Sequence, residues 1–185
     1  MTPRAASERL VDVAVAVAGD RPARIADVGT GSGAIAVALA AGLPQAEVFA
    51  ADTSAAAVLL ARANVTRLRL GERVTVLHGN LLDPVPGTLD LVVANLPYLP
   101  HAEAGRHPEL AGEPAAAIFA CGDGLDAYRA LVTASWERLT ADGALVIQLR
   151  ARVLAARRDQ LHILAATLAP LRDGDRPATE IGEAA

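Results

Sequence analysis

Three closely spaced glycines constrain the fold of this 185-residue chain more than any other feature. Gly29, Gly31 and Gly33 follow the short apolar segment 24–28 and precede the apolar segment 34–41. The first segment has the length and composition of a buried strand, and the second has those of a helix. Because glycine lacks a Cβ atom, backbone N–H groups at such a strand-to-helix turn can approach a ligand closely. The turn therefore predicts an open α/β sheet with a ligand crevice at its carboxyl edge.

The rest of the chain alternates helix-like and strand-like segments, as a doubly wound, mostly parallel sheet with helices on both faces requires. The predicted helices are 7–18, 34–41, 54–70, 125–139 and 152–168. The predicted strands are 24–28, 46–51, 74–78, 89–94 and 144–149, and the pattern leaves the closing strands undefined. A proline-rich loop over residues 95–123 interrupts the alternation, and a loop of that length in a compact domain is usually functional.

Length and composition favour a single globular domain over residues 1–185, with a leading helix in 1–20 and a weakly patterned tail in 170–185. All 17 basic residues are arginine, and 21 acidic residues give a net charge of −4, which disfavours binding to nucleic acid by bulk charge. Cys121 is the only cysteine, so an internal disulfide is excluded and no metal site is expected. The N-terminus has no signal-peptide pattern and no apolar run is long enough to span a membrane, so we expect a cytoplasmic protein.

An acidic residue, Asp52, ends the second predicted strand, where a carboxylate can accept both hydrogen bonds of a ribose diol. Together with the glycine turn it predicts a nucleoside-containing cofactor. Dinucleotide sites favour a third glycine five positions after the first, whereas Gly33 comes four after Gly29, and Asp27 lies two before it. This arrangement resembles the S-adenosylmethionine (SAM) loop of class I methyltransferases, in which the acid before the loop helps to position the methionine part.

Asn95, Leu96, Pro97 and Tyr98 directly follow the fourth predicted strand, which lies beside the first across the crevice. This 95–98 segment resembles the Asn-Pro-Pro-Tyr motif of methyltransferases that act on planar, weakly nucleophilic nitrogens. The Asn95 side-chain oxygen and the Leu96 carbonyl can each accept one N–H of the amino group, which orients the nitrogen for attack. Tyr98 can stack on the planar group and add a cation–π term near a sulfonium of about 1 kcal/mol.

The downstream stretch, residues 113–129, is similar to the corresponding stretch of HemK-type protein-(glutamine-N5) methyltransferases, which modify a glutamine of peptide release factors. The resemblance implies a SAM-dependent enzyme whose partner is a glutamine-bearing protein such as a release factor. Two alternatives stay open: an amino-methyltransferase for adenine or cytosine in nucleic acid, which the acidic charge disfavours, and a shortened SAM-binding protein with little activity. The resemblance leaves the oligomeric state open.

The resemblance assigns the methyl acceptor to Asn95, Leu96, Pro97 and Tyr98. It assigns the cofactor to Asp27, Gly29, Thr30, Gly31, Ser32, Gly33, Asp52, Thr53, Asn80, Leu81 and Asn95. The chain departs from the family pattern at Leu96 (usually proline), Asn80 (often aspartate) and Gln148 (usually glutamate). Since only about 23 residues precede the first strand, we expect the family's N-terminal recognition domain to be absent or reduced to one helix.

Overall fold

The computed structural model describes residues 5–100, 115, 118–120, 122–149 and 152–168. Its helices are α1 (Ala5–Ala18), α2 (Ala34–Gly42), α3 (Ala55–Arg67), α4 (Asp126–Arg138) and α5 (Leu161–Thr167). Its strands are β1 (Arg24–Val28), β2 (Glu47–Asp52), β3 (Val74–His78), β4 (Leu89–Ala94), β5 (Leu99–Pro100), β6 (Phe119–Ala120), β7 (Leu139–Leu149) and β8 (Arg152–Arg157). A 3-10 turn over Arg158–Gln160 joins β8 to α5.

Six strands form the central sheet, in the order β3-β2-β1-β4-β7-β8. The first five are parallel to their neighbours, and β8 closes the edge antiparallel to β7. The two short strands β5 and β6 pair with each other outside this sheet. The predicted fold class, a doubly wound and mostly parallel sheet, is confirmed.

Helices cover both faces of the sheet. One buried cluster joins α1, α2 and α3 to one face, and a second joins α4 and α5 to the other. The central strands β1 and β4 are buried along almost their whole length, which explains why apolar residues predominate on both of their faces instead of alternating with polar ones.

The predicted helix 152–168 is wrong in its first half, where the chain forms β8 instead. The stretch is apolar from Val153 to Ala156 and short enough to suit a strand or a helix. Pairing with β7 satisfies backbone groups that would otherwise stay open on the sheet edge, and this long-range gain decides the outcome. Of the predicted helix 152–168, only the part that forms α5 is α-helical. A second difference is that β7 begins at Leu139 rather than at residue 144.

The strand order reverses between β1 and β4, since β2 and β3 continue to one side and β7 and β8 to the other. Such a switch point leaves a crevice outside the carboxyl ends of the strands, where open α/β sheets bind ligands. The predicted tail 170–185, Cys121 and most of the 95–123 loop lie outside the described residues. None of the helices in the described part of the chain is both long and apolar enough to cross a bilayer.

Candidate functional site

A cavity of about 410 Å³ opens at this crevice, a volume typical of small-molecule sites. It is lined by the ends of β1, β2 and β4, the glycine turn, the start of α3 and the connection after β3. Among the described residues that line it, Asp52 is the one with a charged side chain. The cavity therefore suits a ligand that is neutral or positively charged better than a pyrophosphate.

The glycine turn is held open by its backbone. The N–H groups of Gly29 and Thr30 both donate to the Ala51 carbonyl at the end of β2, at 2.9 and 3.0 Å. Gly29 has a φ of +73°, and a Cβ atom there would lie 2.6 Å from Cδ2 of Leu96. The backbone angle therefore favours glycine at this position, and a Cβ atom would also require the Leu96 side chain to move.

Gly33 has a different task from Gly29. A Cβ atom on Gly33 would lie 3.2 Å from Cβ and 3.3 Å from Cα of Ala61, so this glycine lets the start of α2 pack against α3. The Asn64 amide, also on α3, donates to the Ser32 carbonyl at 2.9 Å. These two contacts fix the far end of the turn to the helix that follows β2.

Asp52 is anchored at both carboxylate oxygens. The Gly31 N–H donates to Oδ2 and the Ser54 N–H donates to Oδ1, each at 2.8 Å. A carboxylate oxygen can accept more than one hydrogen bond, so both keep capacity for hydroxyl donors in the cavity. The side chain is thus oriented before any ligand arrives.

Asp27 lies beneath the turn and does not line the cavity. Its Oδ2 accepts from the Thr30 hydroxyl at 2.6 Å and from the Ala36 N–H at 3.0 Å, so it holds the turn to α2. Burial raises the pKa of this carboxyl to about 6, against the lowering effect of those two hydrogen bonds. Its Oδ1 is buried with no hydrogen-bond partner among the described residues.

The 95–98 segment shares the cavity with the glycine turn. Asn95, Leu96 and Pro97 line the cavity, whereas Tyr98 does not. The Leu96 side chain is 6% exposed and its backbone contacts the hydroxyl of the fully buried Tyr128. Gly124, whose φ is +87°, passes so close to the Tyr98 carbonyl oxygen that no side chain fits between them.

The structure brings together most of the predicted cofactor residues. Those that line the cavity are Gly29, Gly31, Ser32, Asp52, Thr53, Asn80, Leu81 and Asn95, while Asp27, Thr30 and Gly33 lie outside the lining. Lining residues that the sequence reasoning missed are Val28, Ala51, Ser54, Ala56, Ala57, Leu60, Gly79 and Ala127. Most of these are small or apolar and carry no chemical signature, although Ser54 is recognisable as a helix N-cap directly after Asp52.

No group of three or more His, Cys, Asp or Glu side chains that could hold a metal ion occurs among the residues that the structure describes. The predicted involvement of Asp27, Thr30, Gly33 and Tyr98 in ligand contact stays a prediction. Their observed contacts give the first three a supporting part in shaping the glycine turn.

Comparison with known families decides the broad class of this site. Residues 6–112 match the model of the methyltransferase small domain. The chain belongs to the methyltransferase small domain family. The match spans the glycine turn, Asp52 and the 95–98 segment, so all of the described cavity lining except Ala127 falls within the matched residues.

Curated relatives of this methyltransferase domain carry a more specific name. A release factor glutamine methyltransferase from Gloeobacter violaceus is 45% identical over 158 residues, which cover 82% of this chain and 54% of the relative. One from Moorella thermoacetica is 46% identical over 127 residues, covering 68% of this chain and 45% of the relative. The chain thus spans about half the length of these relatives.

Solved methyltransferase structures share the fold at low sequence identity. A ribosomal protein L11 methylase from Lactobacillus delbrueckii subsp. bulgaricus has a TM-score of 0.56 and 22% identity, covering 79% of this chain and 61% of its own. An O-methyltransferase of Brevibacillus brevis in complex with S-adenosyl-L-homocysteine has a TM-score of 0.52 and 15% identity, covering 76% and 39%. At these identities the likeness concerns the fold alone.

Proposed function

We propose that this methyltransferase domain transfers a methyl group from SAM to a planar amide nitrogen, the side chain of a protein glutamine. A single observation carries the proposal: Gly29 and Gly31 of the glycine turn, Asp52 and residues 95–97 line one cavity. A nucleoside-bearing methyl donor and the acceptors for an amino group would therefore lie within reach of each other. The name shared by the curated relatives points to a release factor as the substrate protein.

The residues present fit SAM better than a dinucleotide. Asp52 is anchored with both oxygens able to accept ribose hydroxyls, and Asn80 and Leu81 lie in the same cavity, where an amide and an apolar side chain suit an adenine. The lining carries one negative and no positive side chain in the described part of the chain, which favours a sulfonium over a pyrophosphate. When bound, SAM would supply an electrophilic methyl group on a positively charged sulfur.

The 95–98 segment would hold the nitrogen that receives the methyl group. An amide nitrogen attacks poorly because its lone pair is delocalised into the carbonyl. If the Asn95 side-chain oxygen and the Leu96 carbonyl each accept one N–H, the amino group is fixed in orientation and its electron pair is directed at the methyl carbon. Positioning of this kind can lower a barrier by several kcal/mol. Tyr98 would add stacking on the planar amide.

An exocyclic amino group of adenine or cytosine presents the same two N–H donors, so the test must separate the two substrate classes. The full chain is incubated with tritiated SAM and either a peptide release factor or RNA and DNA, and products are mapped by mass spectrometry. Monomethylation of a release factor glutamine supports the proposal. Label in nucleic acid, or tight SAM binding without a methylated product, contradicts it and favours the base-modifying or the binding-protein alternative.

Asn95→Ala tests the mechanism. We expect transfer to fall roughly hundredfold or more because one of the two acceptors is lost, while SAM binding by calorimetry falls less than tenfold. Gln45→Ala is the matched control, since it removes an exposed side-chain amide outside the cavity lining. Equal rates for Asn95→Ala and wild type would refute the assigned role.

The cytoplasmic location expected from the sequence stays a prediction.

A further inference from the structure

Leu96 carries a backbone donor that the usual proline of this motif lacks. Its N–H donates to the hydroxyl of Tyr128 at 3.0 Å, and this bond exists only because residue 96 is not proline. The departure at Leu96 thus removes a rigid ring and supplies a hydrogen bond in its place.

Tyr128 contacts three backbone groups through one hydroxyl. Besides accepting from the Leu96 N–H, its oxygen lies 2.8 Å from the Leu96 carbonyl and 2.6 Å from the Gln148 carbonyl. A hydroxyl has one hydrogen, so only one of the two carbonyls can accept it at a time. Tyr128 is fully buried, and burial raises its pKa above the usual range, so the hydrogen stays on the oxygen.

The helix that carries Tyr128 is firmly placed. Tyr128 lies in the first turn of α4, and Leu131 and Val132 of that helix pack into the buried cluster on this face of the sheet. Gln148 lies near the end of β7, next to β4 in the sheet. The hydroxyl therefore links the 95–98 segment to two elements that are independent of the glycine turn.

We propose that Tyr128 is a positioning residue for methyl transfer, which holds the Leu96 carbonyl in place to accept the substrate N–H. This inference rests on the proposed function and deepens it. Without substrate, the hydroxyl can donate to the Leu96 carbonyl. When the amide N–H occupies that carbonyl, the hydroxyl can donate to the Gln148 carbonyl, and the bond from the Leu96 N–H holds the preceding Asn95–Leu96 peptide in place throughout.

Tyr128→Phe removes the hydroxyl and keeps the ring. We expect kcat for glutamine methylation to fall roughly tenfold to a hundredfold because the acceptor is misplaced, with KM for SAM changed less than about threefold. Exchange of the Leu96 amide hydrogen, followed by NMR, is expected to become faster. Thr133→Ala is the matched control, since it removes another hydroxyl from α4 whose bond is to the Arg129 carbonyl within the helix.

Leu96→Pro supplies a second, independent variant. It deletes the bond from the Leu96 N–H and puts a rigid ring in its place, so Tyr128→Phe should lower kcat less in the Leu96→Pro background than in the wild type. The inference would be overturned by an unchanged kcat or an unchanged exchange rate of the Leu96 amide in Tyr128→Phe. Fully multiplicative effects of the two substitutions on kcat in the double variant would overturn it as well. In each case, glutamine methylation by the wild type would still support the proposed function. If the wild type methylates no glutamine, the proposed function fails, and the role of Tyr128 in methyl transfer fails with it.

Discussion

Among the glycines that the structure describes, Gly124 is the one that leaves least room for a Cβ atom. Its φ is +87°, and a Cβ atom there would overlap the Tyr98 carbonyl oxygen. We expect Gly124→Ala to lower the free energy of unfolding by about 2 kcal/mol or more, through backbone strain and steric overlap. Since the backbone that must shift is that of Tyr98, methyl transfer is expected to fall as well. Urea unfolding and the transfer assay measure the two effects.

Gly122→Ala is the matched control for that prediction. Gly122 also has a positive φ, of +59°, but a Cβ atom there would meet only Oδ2 of Asp126 at 3.4 Å, an ordinary contact. We expect this variant to cost about 1 kcal/mol and to leave methyl transfer intact. Equal losses of unfolding free energy and of methyl transfer in the two variants would show that the close approach of Gly124 to Tyr98 has no effect of its own.

Asp27 is expected to make the folded state less stable as the pH rises, which is the opposite of the usual effect of a carboxylate. Burial raises its pKa from 3.8 to about 6, so the folded state binds the proton more tightly than the unfolded chain. The stabilisation from this proton is complete below about pH 4 and is lost as the pH rises through 6. From the shift in pKa, the loss is of order 3 kcal/mol.

Asp27→Asn isolates this contribution because it has no carboxyl to titrate. We expect the free energy of unfolding of the wild type, minus that of the variant, to decrease between pH 4 and pH 7. Urea unfolding at a series of pH values measures the difference. A difference that does not vary over this range would contradict the raised pKa.

At the scale of residues, the side chains and glycines that line the cavity were easier to predict from the sequence than the residues that hold them in place. The spacing of Gly29 and Gly31 and the position of Asp52 identify cavity residues because a strand, a glycine turn, a helix and an acid after the next strand occur together. The spacing cannot tell that Gly33 packs against α3. Tyr128 escaped notice as a site residue because a tyrosine on the apolar face of a helix looks like ordinary core until its hydroxyl partners are known.

At the scale of elements, the local sequence pattern predicted strands and helices correctly wherever burial and local propensity favour the same structure. The strands β1, β3 and β4 have the predicted bounds, and the helices α1 to α4 differ from the prediction by a few residues at their ends. Prediction failed at β8, where pairing with β7 outweighs local preference, and at the start of β7, where polar residues hide a strand. Long-range pairing energy is not readable from a short segment.

The connection between β3 and β4 is another element whose support lies far away in sequence. It carries Asn80 and Leu81, and Leu81 has a φ of +45°, which a leucine rarely adopts. The guanidinium of Arg138, at the end of α4, donates to the carbonyl oxygens of Leu82, Val85 and Gly87 in this connection. Arg24 donates to two further carbonyls, at 3.2 and 2.9 Å.

Arg138→Lys tests whether this connection shapes the cavity. Lysine keeps the charge but cannot match the planar fork that reaches three carbonyls, so we expect a loss of about 1–2 kcal/mol in stability. SAM affinity by calorimetry is expected to fall severalfold, because Asn80 and Leu81 lose their fixed placement. Arg158→Lys is the control, since Arg158 donates to the Trp136 carbonyl and not to this connection. A loss of affinity in the control but not in Arg138→Lys would contradict the argument.

At the scale of the whole molecule, lysine is absent and arginine side chains are a general support for the backbone. Side chains that donate to backbone carbonyls include those of Arg24, Arg62, Arg73, Arg129, Arg138, Arg157 and Arg158. These side chains bind the backbone of the scaffold, and Arg24 and Arg129 also pair with carboxylates, whereas the described cavity lining holds only the negative charge of Asp52. A net charge of −4 and this distribution together favour a cationic small ligand.

A ligand in this cavity contacts the ends of three strands and the start of α3, so its binding should stabilise the whole domain rather than one loop. At a SAM concentration of about one hundred times its Kd, linkage predicts about 2.7 kcal/mol of added stability. For a chain of 185 residues that corresponds to a rise in Tm of about 5–10 °C. Thermal unfolding of the full chain measures this rise, and Asp52→Ala should abolish most of it because the ribose acceptor is gone. NAD, whose pyrophosphate finds no positive side chain in the described lining, should produce little rise, so a larger shift with NAD than with SAM would overturn the assignment of the cavity.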